Sequence, residues 1–315
     1  MISIIKKLPI PICGLMLSLA ALGNLIAPYS KSFRVISGSI SGLIFFMLVL
    51  KIFIFPKSIQ EGLNNPVVAG VMATFPMGMM ILSTYIKPFV KNIAFSMWIF
   101  ALILNASLIL YFTIKFLLSF NIKKVFASYF VLYVGIVVGS VTAPVYDFSQ
   151  LGKMIFWYGL IVYLPLIPIV IYRVLRIKKI PESAKPVTII FAAPANLLLA
   201  GYISSFLQKN LEIITFLVSI ALIMTLYCLV LMPKMLKLKF YPSYSAFTFP
   251  FVISAIAINM TNKYLFSIDK GFTLLKYIAN FETIWSIIIV LYVFFRYIIY
   301  MIKEVKSIPT PQTNI

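Results

Sequence analysis

Apolar runs of about twenty residues recur along the chain, and short polar stretches separate them. A helix needs roughly 20 apolar residues to cross the hydrocarbon core of a bilayer. The pattern predicts ten membrane-spanning helices, at residues 8–28, 35–55, 66–86, 93–117, 125–144, 153–175, 185–207, 211–232, 241–262 and 278–302. Because the connections are short, we expect neighbouring helices to run antiparallel as hairpins within one transmembrane domain, residues 1–306. The polar, proline-containing tail at residues 307–315 is predicted to be disordered.

The composition agrees with a membrane protein. Hydrophobic residues make up 62% of the 315 residues and charged residues only 11%, whereas soluble domains carry about 25% charged residues. A water-soluble fold could not bury so much apolar surface. The pattern therefore predicts an all-α integral membrane protein surrounded by lipid.

The chain is strongly basic, with 27 Lys and Arg against 7 Asp and Glu. The basic residues lie in the connections rather than in a separate domain, and no nucleic-acid motif accompanies them, so no nucleic-acid partner is expected. Across the predicted membrane, 18 basic residues fall on one side and 9 on the other. The positive-inside rule then predicts that both termini are cytoplasmic. We expect the protein to lie in the cell membrane. A positive field also concentrates anions near a pore.

Proline and glycine interrupt mainly the odd-numbered helices. The interruptions are Pro9, Pro11 and Gly14 in helix 1, Pro76 and Gly78 in helix 3, Gly135 and Gly139 in helix 5, Pro194 in helix 7 and Pro250 in helix 9. Irregular backbone at membrane depth is tolerated where it lines a cavity or is buried in protein. The pattern favours five hairpins around a central pore, with odd helices inside and even helices outside, although helix 6 also contains Gly159, Pro165 and Pro168. Ordinary use of Pro and Gly in membrane helices is the alternative interpretation.

Groups that could perform chemistry are scarce in the predicted spans. Six of the seven acidic residues fall in connections or at helix ends, and Glu282 lies near the start of helix 10. Either the helix dipole stabilises this carboxylate, with Lys276 or Lys263 nearby, or it takes part in transport. The chain has no His, no metal-ligand spacing and no catalytic cluster, so neither an enzyme nor a cofactor or metal site is predicted. A pore poor in carboxylates favours anions over cations and protons.

Four segments carry a resemblance to a known family. They are Pro9–Gly14 in helix 1, Asn65-Pro66 followed by Thr74–Gly78 in helix 3, Lys185-Pro186 followed by Ala192–Ala195 in helix 7, and the aromatic stretch Phe240–Phe251 that opens helix 9. Their order and spacing resemble the tellurite-resistance/dicarboxylate transporter family over nearly the whole chain. That family includes bacterial tellurite-resistance proteins, malate permeases and plant slow anion channels.

The resemblance implies a homotrimer in which each protomer has its own pore. It also implies a helix-9 phenylalanine that plugs the pore; this is Phe249 by the motif match, with Phe247 as its rival. The family's kinked pore helices, together with the odd-helix pattern, suggest six further pore-lining residues: Gly14, Pro76, Gly135, Gly139, Pro194 and Ser254. The expected function is a gated channel for small anions such as chloride and nitrate. The alternative is a secondary transporter that exports C4-dicarboxylates such as malate, or tellurite and other toxic compounds.

Overall fold

The computed structural model describes residues 2–306, and helices joined by short connections make up nearly all of this region. All ten predicted spans are present as helical segments, nine of which are long and apolar enough to cross a membrane. We number them α1 (Ile12–Ile26), α2 (Lys31–Ile54), α3 (Pro66–Ile86), α4 (Lys91–Leu117), α5 (Ser128–Tyr146), α6 (Ser149–Ile177), α7 (Glu182–Ser205), α8 (Leu211–Leu236), α9 (Pro242–Ser267) and α10 (Thr273–Lys306). The tail predicted to be disordered, residues 307–315, lies outside the described residues.

The first span is shorter than the sequence predicts. Pro9 and Pro11 precede α1, whose first helical residue is Ile12, and the helix has 15 residues. Proline lacks the N–H that a helix interior needs, so it favours the first turn of a helix or the residues before it. Three short elements complete the helices of residues 2–306: Ile2–Lys7 precedes α1, Pro56–Asn64 connects α2 to α3, and the 3-10 turn Ile122–Lys124 lies between α4 and α5.

The ten helices form two concentric layers. Between 72% and 94% of the residues in the apolar windows of α3, α5, α7 and α9 are buried within the protein, against 22% to 33% in the five even-numbered helices. Thirteen of the 15 residues of α1 are buried as well. The even helices instead expose many large apolar side chains, including Phe46 and Phe100. A soluble protein rarely exposes such a continuous apolar surface, so this outer face is the one that meets lipid.

The inner layer is a closed ring. Each odd helix packs against the next, α1 on α3, α3 on α5, α5 on α7 and α7 on α9, and α9 returns to α1. Each odd helix also packs against the even helix that follows it, so the chain is built from five hairpins. The predicted arrangement of odd helices inside and even helices outside is therefore confirmed.

Glycines allow the inner helices to approach one another closely. A Cβ atom on Gly70 of α3 would lie 2.8 Å from Ser128 Cβ and 2.9 Å from Ser128 O of α5. Where α9 meets α1, a Cβ on Gly14 of α1 would lie 3.1 Å from Ser245 Cβ of α9. Small residues at helix contacts are typical of membrane bundles, because van der Waals packing drives association in lipid.

Three of the odd helices, α5, α7 and α9, change helix type within the span. In α5 a 3-10 turn at Gly135–Val137 separates two α-helical pieces. In α7 a 3-10 segment, Glu182–Ala192, precedes the α-helical part, and in α9 the segment Pro242–Phe247 does the same. By contrast, α6 is α-helical from Ser149 to Tyr172 despite containing two prolines. Among the even helices, α4 and α6 change type only at their last residues, where each ends in a π-helical segment, Thr113–Leu117 and Arg173–Ile177. The 3-10 segments within the spans all lie in the inner ring, as the positions of the prolines and glycines indicate.

Both described ends of the chain lie on the same side of the bundle. Lys7 Nζ lies 3.1 Å from Glu304 Oε2 near the end of α10, and the helix Ile2–Lys7 packs against α10. An even number of spans requires this arrangement. We call this side of the protein the terminal side and the other the distal side.

Candidate anion pathway

Three cavities follow one another through the inner ring. The terminal-side vestibule, about 540 Å³, is lined by the beginnings of the odd helices and their connections, including Pro11, Lys123, Lys124 and Tyr241. The distal vestibule, about 270 Å³, is lined by the ends of the odd helices, including Asn24, Asn259 and Lys263. Between them lies a central cavity of about 30 Å³. That volume has room for about two water molecules.

Bulky side chains separate these cavities. Val71 lines both the terminal-side vestibule and the central cavity. Phe249 and Leu197 line both the central cavity and the distal vestibule. A route through the protomer is therefore narrowed at two places: at Val71, between the terminal-side vestibule and the central cavity, and at Phe249 and Leu197, between the central cavity and the distal vestibule.

Phe249 lies at the point where α9 changes helix type. The 3-10 segment ends at Phe247, and Phe249 is the first residue of the α-helical part. Thr248, between them, donates a hydrogen bond to Ser245 O at 2.6 Å. Ser18 Oγ of α1 donates to Thr248 Oγ1, also at 2.6 Å, and both hydroxyls are fully buried. These bonds hold the backbone that carries the Phe249 ring against the neighbouring inner helix.

Phe247 has a different environment. Its side chain is fully buried, and its ring packs on Tyr244 with centroids 4.6 Å apart. It lines none of the three cavities, whereas Phe249 lines two of them. The two residues that the aromatic motif left as rivals therefore point in different directions.

The chemistry of the lining suits a negatively charged solute. The central cavity is mostly apolar, with Thr74 and Ser245 as its hydroxyl-bearing residues. Lysines line both vestibules, and no carboxylate belongs to the lining of any of the three cavities. A positive field at the two mouths raises the local concentration of anions, and a weakly polar middle lets them leave again.

Comparison with known families identifies the chain. The model of the voltage-dependent anion channel family matches residues 7–298, nearly the whole sequence. The chain belongs to this family. No curated protein matches it. The match confirms the family resemblance on which the sequence prediction rests, and it indicates a membrane channel or transporter for anions rather than an enzyme.

Three of the six further residues expected to line the pore of this anion channel family member do lie at the central cavity. These are Gly14, Gly135 and Pro194, from α1, α5 and α7. Pro76, Gly139 and Ser254 are buried but line none of the three cavities.

Gly139 and Ser254 face the outer ring instead of the pathway. A Cβ on Gly139 would meet Leu102 and Ile155, from α4 and α6. Gly135 and Gly139 are four residues apart and would share one face of a regular α-helix. The 3-10 turn at Gly135–Val137 has 3.0 residues per turn instead of 3.6. Because of this difference, Gly139 is rotated away from the face of α5 that carries Gly135. Ser254 points towards α8 and α10, where it contacts Thr225 and Glu282.

Glu282 lies in the wall between the two rings. Its side chain is only 4% exposed, and its Oε2 accepts a hydrogen bond from Ser254 Oγ at 2.8 Å. The interpretation that the helix dipole stabilises this carboxylate is wrong, because α10 begins at Thr273 and the dipole acts only within the first turn. Among the described residues no Lys or Arg nitrogen lies within 4.0 Å of it.

The prediction from sequence missed several lining residues. Leu197 follows Pro194 by three residues and shares its face of α7, a spacing that could have identified it. Val71 and Asn24 carry no comparable signal, because an aliphatic residue and a helix-end amide occur at many positions of such a chain.

Proposed function

We propose that the protein is a gated channel that conducts small anions such as chloride and nitrate through a pathway within each protomer. The observation that supports this most directly is the position of Phe249, shared between the central cavity and the distal vestibule of a carboxylate-free route. In this proposal the aromatic ring blocks the route by its size. Moving it aside opens the route without any change of charge.

The pore we propose is lined at its centre by Gly14, Gly135 and Pro194, with Phe249 as the gate. Glycine and proline leave space beside the ring, and the surrounding apolar side chains bind an anion only weakly. Weak binding is what a channel requires, since an ion that is held tightly leaves slowly.

The assembly and location that we propose follow the family and the charge distribution. We propose a homotrimer in the cell membrane, with one pathway in each protomer and the lipid-facing even helices as the outer wall. The terminal side is then cytoplasmic, because it carries the larger share of the basic residues.

An exporter of C4-dicarboxylates or tellurite is the alternative function. The size of the central cavity favours the channel: about 30 Å³ has room for about two water molecules, less than a four-carbon dicarboxylate occupies. Such a transporter would have to expand this cavity in every cycle, whereas a channel needs only to displace the Phe249 ring.

Purified protein in planar bilayers distinguishes the two functions. A channel gives currents that reverse at the chloride equilibrium potential and do not change when a proton gradient is imposed. A carrier gives saturating, proton-linked malate flux and no macroscopic chloride current. Cation-selective currents would refute both functions.

A further inference from the structure

One amide in the distal vestibule is held in a fixed orientation. Asn24, near the end of α1, accepts a hydrogen bond at Oδ1 from Arg34 Nε of α2, at 2.9 Å. The Arg34 guanidinium lies over the ring of Tyr85 of α3, 4.4 Å from its centroid, and Tyr85 in turn donates to Ala20 O of α1 at 2.6 Å. Three helices therefore hold the arginine, and the arginine holds the amide.

This orientation determines which amide atom is available to a ligand. Arginine has only donors, so the Asn24 atom that faces Nε must be the carbonyl oxygen. The amide nitrogen diverges from that oxygen, and no hydrogen bond among residues 2–306 involves its two N–H groups. Asn24 is half-buried and lines the distal vestibule, where these N–H groups can donate to a solute.

The other asparagine of this vestibule is not available in the same way. Asn259 Nδ2 donates to Ala255 O at 2.8 Å and to Thr283 Oγ1 at 3.0 Å, so both of its N–H groups are already used. Lys263, one helical turn further along α9, lines the same vestibule and is exposed. Three side chains of this lining keep donors for a solute: the Asn24 amide, the Lys263 ammonium group and the hydroxyl of Tyr29, which is 73% exposed. Of these, only the Asn24 amide is held in a fixed orientation by a neighbouring helix, and only Lys263 carries a charge.

We propose that Asn24 and Lys263 form a subsite for one small monovalent anion in the distal vestibule, next to Phe249, and that Arg34 is its positioning residue. The proposal rests on the proposed anion channel. The Asn24 N–H groups replace part of the hydration that chloride or nitrate loses as it approaches the narrow centre of the pathway, and Lys263 supplies the opposite charge. Since the vestibule volume is about 270 Å³, the anion keeps part of its water.

The decisive variant is Asn24→Asp. It keeps the shape of the side chain and pairs with Arg34, so the protein retains its fold, but the donors become a carboxylate oxygen. We measure how chloride current depends on chloride concentration, applied to each side of the bilayer in turn. The expected change appears only when chloride is added on the side that the distal vestibule faces. There the chloride concentration that gives half of the maximal current rises about tenfold in Asn24→Asp and about threefold in Lys263→Gln. Lys91→Gln, a matched loss of an exposed lysine outside the vestibule lining, leaves it unchanged.

Arg34→Lys tests the positioning role. The charge is retained, but the planar donor that orients Asn24 is lost, so the half-saturating concentration on that side rises about twofold to threefold while the amount of assembled protein stays the same. If Arg34 serves only the fold, the variant lowers the yield of assembled protein and leaves the concentration dependence unchanged.

These measurements distinguish failure of the proposed subsite from failure of the proposed channel function. If wild type and Phe249→Ala conduct chloride but Asn24→Asp and Lys263→Gln keep the wild-type half-saturating concentration, the subsite is refuted and the channel stands. If neither wild type nor Phe249→Ala conducts any anion, the proposed function itself fails.

Discussion

Truncating Phe249 to alanine should open the pathway. The ring is only 5% exposed and lies between the central cavity and the distal vestibule, so its removal joins spaces of about 30 and 270 Å³ into one. In the wild type the ring must instead be pushed into a packed helical wall. Forcing a side chain into a packed core typically costs about 1–3 kcal/mol. If that cost limits conduction, its removal raises the chloride current about 5-fold to 150-fold.

The assay compares three variants reconstituted at equal density in planar bilayers. Phe249→Ala should carry the larger chloride and nitrate currents. Phe247→Ala, which removes an equal ring that lines none of the cavities, should conduct like the wild type if it assembles. Phe46→Ala removes a lipid-facing ring, 66% exposed, and controls for the loss of a phenylalanine. Wild-type currents from an assembled Phe249→Ala protein, or a large increase in Phe247→Ala instead, would refute the gate.

Three further outcomes follow from the same geometry. Gly70→Val should lower the free energy of unfolding by about 3 kcal/mol, because the new side chain would meet the α5 backbone. This loss is measured as a lower Tm in detergent. Gly42→Ala should leave the Tm unchanged, because no atom lies within 4 Å of the new Cβ. Replacing Lys123 and Lys124 together with Gln should reduce chloride current at about 0.01 M salt and have little effect near 1 M, where the Debye length falls to about 3 Å. Glu282→Gln should leave anion selectivity and current unchanged, since the carboxyl faces Ser254 rather than a cavity.

A specific result would contradict each of these three predictions. Equal Tm values for the Gly70 and Gly42 variants would show that the seam between α3 and α5 tolerates a side chain. A lysine effect that persists at 1 M salt would exclude long-range attraction as its cause. Loss of transport in the Glu282 variant, with assembly intact, would favour a proton-coupled carrier over a channel.

The architecture could be predicted from the sequence because it depends on local, one-dimensional signals. Span length follows from bilayer thickness, the hairpins follow from short connections, and the two rings follow from the positions of proline and glycine. The scarcity of acidic residues likewise predicted a pathway lining without carboxylates, which is what the three cavities have. Gly14, Gly135 and Pro194 were found at the central cavity for the same reason, since they lie at or near the breaks themselves.

The direction of individual side chains was decided only by the tertiary structure. Gly139 faces the outer ring because a 3-10 turn changes the phase of α5, and Ser254 turns outward towards Glu282. The orientation of the Asn24 amide depends on Arg34 of the next helix, which is itself held by the ring of Tyr85. The periodicity of a helical sequence shows which face of the helix is apolar. It does not show which neighbouring helix packs against that face. The pathway exists only where five helices close into a ring, so its lining is a property of their packing.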